Sequence, residues 1–426
     1  MSPRNTPRPL TRREFLTKGL GLIAVTATVP SFLSRTSLVF AADPTSHIAP
    51  TNGRDGKILV VIQLSGGNDG LNTIVPYAHD PYYRARPILA VPKDKVLKLN
   101  GEIGLHPVLT PLKEFYDAGK LTVLQGVGYP NPDRSHFRSM EIWQTAVADN
   151  FESTGWIGRL FDHTCGNAHL HETPSPTLGV CIGETLTPAM NGHCPVGVAL
   201  RNSEQFYRMA KASVGVETAS SPQKDNIINP AVVAQLDFLR RTALNAEISA
   251  EHIRHSVRSV QTKANYPPEP FAQGLKLIAA MIAGGMDTRV YYTSLGSFDT
   301  HANQQGVHEH LLKTFAEGVA AFQHDLEALG QADRVVVFTF SEFGRRVAEN
   351  GSRGTDHGQA APLFVFGKPV KGGIVGPHPS LEQLTEGDVV FQTDFRQLYA
   401  TILDRWLSMD SSLVLGQTFK ALPILA

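Results

Sequence analysis

Cysteine is scarce in this chain: only Cys165, Cys181 and Cys194 occur among 426 residues. They are too few and too widely spaced for a zinc knuckle, whose cysteines and histidines come in closely spaced pairs. One disulfide in an oxidising compartment and three buried thiols both remain open. The cysteine content therefore argues against a zinc knuckle but is compatible with a secreted protein.

Two common motifs of nucleotide-binding and hydrolytic proteins are also absent. The stretch SGGNDG at 65–70 has neither the G-x-G-x-x-G spacing nor the lysine of a phosphate-binding P-loop. No G-x-S-x-G elbow is present, which argues against a Ser/His/Asp hydrolase.

An excess of positive charge is lacking as well, because 39 lysine and arginine side chains balance 39 aspartate and glutamate side chains. Residues 1–42 carry six of the basic side chains and one acidic side chain, so the remainder is mildly acidic. Nucleic-acid binding requires a basic surface and is not expected here. With 42% apolar and 18% charged residues, the composition is that of a globular protein of enzyme size.

The N-terminus predicts export. Arg12 and Arg13 precede an apolar pair and a lysine, and the apolar stretch over 19–33 is too short and interrupted to span a bilayer. Such a pattern resembles the signal read by the twin-arginine export machinery. We expect 1–42 to be a signal peptide and 43–56 a linker, with a periplasmic or secreted location and no stable membrane anchor.

The remainder of the chain alternates strand-like and helix-like segments. Continuous apolar runs such as KILVVIQL at 57–64 and DRVVVFTF at 333–340 are typical of strands buried on both faces. This rhythm predicts an α/β domain over 57–426, with a doubly wound, mostly parallel sheet flanked by helices. The rhythm weakens between about 151 and 270, where we expect an insertion or cap that includes a polar helix around 230–263.

Acidic residues and imidazoles stand at the ends of these predicted strands. The candidates are Asp69 after the first strand, Ser135 and His136 after the second, Asp299 and His301 after the third, Glu342 after the fourth, and Asp356 and His357 before the last. Sites in open α/β sheets form outside the carboxyl ends of the strands, so these segments would meet at one edge. Carboxylates and imidazoles gathered there need a cation to compensate them.

The motifs around these candidates resemble those of a known family. They are LSGGNDGLN, GVGYPNPDRSHFRSM, GSFDTHANQ, TFSEFGRR and GTDHGQAAPLFVFG. They resemble an uncharacterised, twin-arginine-secreted bacterial family within the alkaline-phosphatase-like superfamily of phosphatases and sulfatases. The resemblance covers nearly the whole chain after the signal peptide and implies the superfamily's α/β fold, but it brings no known substrate.

The resemblance also implies roles for individual residues. Its metal ligands would be Asp69, Asp299, His301, Glu342, Asp356 and His357. Its catalytic residues would be Ser135 as the nucleophile at a helix N-terminus, with Arg134, Arg138 and also Arg345 holding oxyanion oxygens. The cofactor would be one or two divalent ions of Zn, Mn, Mg or Ca.

Two departures from the superfamily's pattern shape the expected function. An Asp-His pair after the fourth strand is replaced by Glu342-Phe343, so one imidazole ligand is missing and a single ion is an alternative to two. The segment PNPDR at 130–134 lacks the Cys or Ser from which a sulfatase makes its formylglycine nucleophile.

The sequence therefore predicts a secreted metal-dependent hydrolase that acts on a small-molecule or glycan ester, with phosphate esters favoured over sulfate esters. Ser135 or a metal-activated water would be the attacking group. The alternative is an envelope binding protein that keeps the fold and a partial metal site but has no catalytic activity.

Overall fold

The structure is a computed structural model that describes residues 56–167, 175–194, 196–215 and 246–426. The expected signal peptide over 1–42, the linker up to residue 55 and part of the helix expected around 230–263 lie outside these residues. None of the helices in the described part of the chain combines the length and the hydropathy needed to cross a membrane.

The described residues form fourteen strands. They are β1 (Ile58–Leu64), β2 (Ile74–Val75), β3 (Leu97–Lys98), β4 (Gly104–Leu105), β5 (Leu121–Gly128), β6 (Gly179–Ile182), β7 (Val198–Leu200), β8 (Val290–Leu295), β9 (Val335–Phe340), β10 (Ala361–Phe366), β11 (Gly373–Val375), β12 (Leu384–Thr385), β13 (Asp388–Val389) and β14 (Thr393–Asp394). Nine of them make up the central sheet, while β2, β3 and β4 form a small separate sheet and β12 pairs with β13.

Helices alternate with these strands along the chain. They are α1 (Gly70–Thr73), α2 (Asp80–Ala85), α3 (Thr110–Asp117), α4 (His136–Thr145), α5 (Trp156–Asn167), α6 (Ser203–Gly215), α7 (Pro270–Ala283), α8 (Gln304–Ala328), α9 (Phe395–Thr401) and α10 (Ser411–Leu415). Residues 246–258 are also helical, and a π-helical turn at Ile402–Trp406 extends α9.

The central sheet has the order β11-β5-β10-β9-β1-β8-β6-β7, and β14 also pairs with β5. Among the nine described strands of this sheet, only β10 runs against the others, since it is antiparallel to both β5 and β9 whereas the remaining pairings are parallel. In the middle, Val61 of β1 lies opposite Tyr292 of β8 and Phe338 of β9. The predicted mostly parallel α/β sheet is thus confirmed.

Helices cover both faces of this sheet, which explains the continuous apolar runs. Val60 of β1 belongs to the same hydrophobic core as Phe315 of α8. The next residue, Val61, belongs to the opposite core, together with Trp156 of α5 and Tyr399 of α9. Because successive side chains of a strand point to opposite faces, a strand between two such cores must be apolar at every position.

Two strands of the region expected as an insertion join the central sheet. β6 pairs with β8, and β7 pairs with β6, at one edge of the sheet. A disulfide joins Cys165 of α5 to Cys194 ahead of β7, with Cα atoms 6.6 Å apart. Cys181 on β6 is a buried free thiol. The structure thus contains the one-disulfide arrangement, while the role of 151–270 as a cap stays a prediction.

Candidate metal centre

The antiparallel direction of β10 brings its preceding loop to the carboxyl ends of the parallel strands. Ala361 at the start of β10 pairs with Val127 near the end of β5. The segment that carries His357 therefore reaches the sheet edge where β5 ends and α4 follows. The same edge receives the loops after β1, β8 and β9.

Four ligand-type side chains converge at this edge. His136 in the first turn of α4, Asp299 after β8 and His357 before β10 each place a ligand atom within 4.8 Å of the others. His301 adds a fourth group, because its Nε2 lies 3.0 Å from Asp299 Oδ1 and 3.0 Å from His357 Nε2. The triangle closes with 3.1 Å between His357 Nε2 and Asp299 Oδ1.

Each of the three imidazoles is fixed through its Nδ1 atom. The contacts are His357 Nδ1 with the carbonyl oxygen of Arg134 at 2.8 Å, His136 Nδ1 with Glu342 Oε1 at 2.8 Å, and His301 Nδ1 with Asp356 Oδ1 at 3.1 Å. In the tautomer that a metal ligand requires, Nδ1 donates to these carbonyl and carboxylate oxygens and Nε2 presents a lone pair. This orientation by a partner behind the ring is the usual arrangement of metal-binding histidines.

The donor set fits a divalent metal ion. His136 Nε2 is buried and has no hydrogen-bond partner among the described residues. The edges of 3.0 to 3.1 Å between Asp299, His301 and His357 are close to the separation of about 3.3 Å between ligand atoms that each lie about 2.0 Å from a tetrahedral ion. Three imidazole nitrogens and one carboxylate are donors that transition metals accept.

Asp299 is the acidic member of the group. Arg345 Nη2 donates to its Oδ1 at 2.7 Å. Burial raises the pKa of Asp299, but the hydrogen bond from Arg345 and the positive charge of Arg345 outweigh burial and lower the pKa to about 2. The carboxylate is therefore ionised throughout the neutral pH range.

Glu342 and Asp356, both expected as ligands, contact the Nδ1 side of an imidazole. Glu342 is buried, and its Oε1 accepts hydrogen bonds from His136 and from the Gly66 amide, the latter at 2.8 Å. Asp356 accepts hydrogen bonds from Asn350 and His301, which lower its pKa. In this geometry the two carboxylates orient imidazoles.

Asp69, also expected as a ligand, is fully buried in an ion pair with Arg86. Arg86 Nη1 lies 2.6 Å from Asp69 Oδ2, and Gln304 donates to the same oxygen. Burial raises the pKa of Asp69, yet the Arg86 charge and these hydrogen bonds leave it below its usual value. Oδ1 has no partner among the described residues. The charge of Asp69 is thus compensated from within the protein.

Ser135, the expected nucleophile, directly precedes His136 in the sequence. It is exposed and occupies the N-cap position of α4, but its side chain makes no capping hydrogen bond. The hydroxyl therefore makes no hydrogen bond to the helix end that it precedes.

The three arginines expected to hold oxyanion oxygens contact protein groups. Arg134 pairs with the buried carboxylate of Asp388 through two nitrogens. Arg138 donates to the carbonyl oxygen of Ala148 at 2.8 Å. The fully buried side chain of Arg345 donates to several backbone carbonyl oxygens around the site as well as to Asp299. Arg345 thereby links the loops that follow β1 and β8 to the segment before β10.

Two glycines after β1 allow this loop to lie against the site. Gly66 has φ of +119°, and a Cβ there would lie 2.4 Å from the amide nitrogen of Asp299. Gly67 has φ of +76°, and a Cβ there would lie 2.4 Å from the ring of Phe343. Only glycine satisfies both the backbone conformation and the close approach at these positions.

The comparison that decides the family is a match over most of the chain. The family described as "Protein of unknown function (DUF1501)" matches residues 121–418. The chain belongs to the DUF1501 family. The matched region contains all four converging side chains of the site, whereas Asp69 and Arg86 precede it. No functionally curated protein matches the chain.

Several solved structures resemble this DUF1501 protein at low identity. A protein in the alkaline phosphatase superfamily from Vibrio parahaemolyticus is 9% identical, with 80% of this chain and 69% of that chain covered and a TM-score of 0.32. The PsFucS1 sulfatase from Pseudoalteromonas sp. is 10% identical, with 92% and 74% covered and a TM-score of 0.37. The C-terminal periplasmic domain of EcEptC from Escherichia coli, solved in complex with Zn, is 10% identical, with 77% of each chain covered and a TM-score of 0.34. These values are too low to transfer an activity.

Three residues of this DUF1501 site had no role in the sequence analysis. His136 was among the candidates at the strand ends but was not expected to be a ligand. Arg86 and Gln304 gave no local signal, since arginine and glutamine side chains are mostly exposed in proteins. Their burial follows from tertiary packing that the sequence pattern does not encode.

Proposed function

We propose that this protein is a metal-dependent hydrolase of phosphate esters whose ion is held by His136, Asp299, His301 and His357. The observation that carries the proposal is the convergence of three imidazole Nε2 atoms on one ionised carboxylate, with each ring fixed through Nδ1. A structural role alone would not require three rings to turn their Nε2 atoms toward one point.

The donor set favours Zn²⁺ or Mn²⁺ over Mg²⁺ or Ca²⁺, because the latter two prefer oxygen ligands. When bound, such an ion would act as a Lewis acid that lowers the pKa of an attacking hydroxyl and stabilises negative charge on phosphate oxygens.

Ser135 is the proposed nucleophile. Its hydroxyl is exposed, does not cap α4, and stands next to His136. The N-terminus of the ten-residue helix α4 favours an anionic group near Ser135, because helix dipoles and unpaired amides attract phosphate. A phosphate ester is favoured over a sulfate ester, because the segment before the serine lacks the Cys or Ser from which a sulfatase makes its formylglycine nucleophile.

We also propose that the protein is exported and that its substrate is a small-molecule or a glycan ester. The twin-arginine pattern supports export to the periplasm or beyond, where small-molecule and glycan esters are the accessible substrates. The exposed position of Ser135 is compatible with either class of substrate.

One observation favours a second function, an envelope protein that binds an anionic partner without hydrolysing it. Arg134, Arg138 and Arg345 all donate to protein groups, so the expected guanidinium support for a transition-state oxyanion is engaged elsewhere. Arg345 in particular has a fully buried side chain.

The test is metal analysis of protein folded in its native host, followed by assays with phosphomonoesters, phosphodiesters and sulfate esters. The hydrolase proposal expects stoichiometric metal and turnover of a phosphate ester, with turnover lost and metal content kept in Ser135→Ala. Stoichiometric metal without turnover on any ester would support the binding protein instead. Protein that contains no metal would contradict both.

A further inference from the structure

The charge of Asp69 is balanced by that of Arg86 without any external cation. Both side chains are 0% exposed. The Arg86 guanidinium donates through Nε to the carbonyl oxygen of Val347 at 2.9 Å, through Nη2 to that of Arg346 at 2.9 Å, and through Nη1 to Asn72 Oδ1 at 2.7 Å as well as to Asp69. Every nitrogen of this cation is held, so its position is fixed.

Gln304, the first residue of α8, connects this ion pair to the proposed metal ligands. Its Nε2 donates to Asp69 Oδ2, and its Oε1 accepts hydrogen bonds from the hydroxyl groups of Thr300 and Thr355. Thr300 stands between the two ligands that follow β8, and Thr355 stands two residues before His357. One buried amide therefore ties both ligand segments to the Asp69 carboxylate.

The surroundings of Asp69 are unfavourable for a metal ion. A divalent ion bound to its carboxylate would lie within a few ångströms of the Arg86 guanidinium, in a buried region where like charges are poorly screened. Among the described residues, the group of ligand-type side chains close enough to share an ion contains His136, Asp299 and His357 but not Asp69.

We infer that Arg86 takes the place of a second metal ion, so that the centre binds one ion and Asp69 and Gln304 position its ligand loops. This inference rests on the proposed function, because it concerns the same centre. It states that one ion binds. It also gives a positioning role to Asp69, which the superfamily resemblance would make a ligand, and to Gln304, to which the resemblance gives no role.

The experiment measures metal stoichiometry and affinity in the full-length protein rather than activity. Wild type, Asp69→Asn, Gln304→Met and the control Gln323→Met are titrated with Zn²⁺ against a chromophoric chelator, and bound metal is counted by elemental analysis. Gln323 is a matched control because it is a second buried glutamine on α8. Circular dichroism checks that each variant is folded.

We expect one ion per chain in wild type and in Asp69→Asn. Gln304→Met should still bind one ion at saturation, with affinity reduced about 10- to 100-fold, as for other residues that orient metal ligands. Gln323→Met should bind as wild type does. If Asp69→Asn does not fold, because Arg86 is left without its partner charge, the wild-type stoichiometry and the Gln304→Met affinity decide the question.

Two ions in wild type would overturn the inference, and a drop to one in Asp69→Asn would identify Asp69 as a ligand of the second. Unchanged affinity in Gln304→Met would overturn the positioning role. Wild-type protein that binds no ion would instead overturn the proposed function, and the inference with it, so the two failures give different results.

Discussion

Nε2 of His301 and Nε2 of His357 lie 3.0 Å apart. Both rings are held from behind, His301 by the carboxylate of Asp356 and His357 by the carbonyl oxygen of Arg134. Two lone pairs at this distance repel unless a proton or a metal ion lies between them. Metal binding is therefore the property that tests this site most directly.

Replacing His136 by alanine should strongly weaken metal binding. The variant removes a buried nitrogen that has no hydrogen-bond partner among the described residues and faces Asp299 Oδ2 at 3.5 Å. Loss of a direct ligand should exceed the roughly 10- to 100-fold effect of changing a residue that only orients one. Chelator competition with Zn²⁺ measures the metal affinity. The control is His310→Ala, which changes an exposed histidine on α8. Wild-type affinity in His136→Ala would remove this residue from the centre.

Variants of Glu342 should separate an orienting carboxylate from a direct ligand. Glu342→Gln keeps an oxygen that can accept from His136 Nδ1 and the Gly66 amide, whereas Glu342→Ala removes it. We expect metal affinity to fall about 10- to 100-fold in Glu342→Ala and less in Glu342→Gln.

Urea denaturation of the same metal-free proteins gives a second readout. Glu342→Ala should lose about 1–3 kcal/mol of unfolding free energy, because the Gly66 amide and the His136 ring lose their acceptor. Equal losses of metal affinity in the glutamine and alanine variants would mean that the negative charge itself binds the ion.

The fold was predictable because its signal is repeated along the chain. Strands such as β1 and β9 are apolar at nearly every position, and a parallel sheet with two covered faces is the arrangement that such strands require. The positions of Asp299 and His357 at one edge follow from the same pattern. The short strands β6 and β7, of four and three residues, offer too little periodicity to be found this way.

The roles of the individual residues within the site were less predictable. A strand-end carboxylate can be placed at the sheet edge from sequence, but the partner that it meets depends on side-chain packing. Glu342 contacts the Nδ1 atom of His136, and Asp69 forms an ion pair with Arg86. Arg86 follows the last residue of α2, in the sequence segment PYYRARP at 81–87. That segment looks like an exposed helix end until tertiary contacts bury the arginine.

Reduction of the disulfide between Cys165 and Cys194 should destabilise the protein. The two cysteines are 29 residues apart, and a loop of that length corresponds to about 3–4 kcal/mol of unfolding free energy in the chain-entropy description. Urea denaturation with and without reductant measures the difference. Cys181→Ala, which removes the buried free thiol, should show the same difference. A wild-type midpoint that does not respond to reductant would contradict this expectation.

His308 should make the folded state sensitive to mild acid. The ring is buried on α8, and its Nε2 contacts Asn68 Oδ1 at 2.9 Å. Burial lowers the pKa of His308 to about 4, although the nearby charge of Asp69 acts in the opposite direction. The unfolded chain takes up this proton near pH 6.5, so it binds more protons than the folded chain between about pH 6.5 and 4. Stability is thus fully present above the unfolded pKa and falls as the pH drops toward 4.

The size of this effect follows from the separation of the two pKa values and is on the order of 3 kcal/mol. His308→Gln retains a donor for Asn68 but cannot be protonated, so its unfolding free energy should change less between pH 7 and pH 4. Urea denaturation at several pH values measures the slope, and the exposed His310→Gln on the same helix should keep the wild-type slope. If His308→Gln also keeps the wild-type slope, the acid sensitivity arises elsewhere, because the only titratable group removed by that substitution is the buried imidazole.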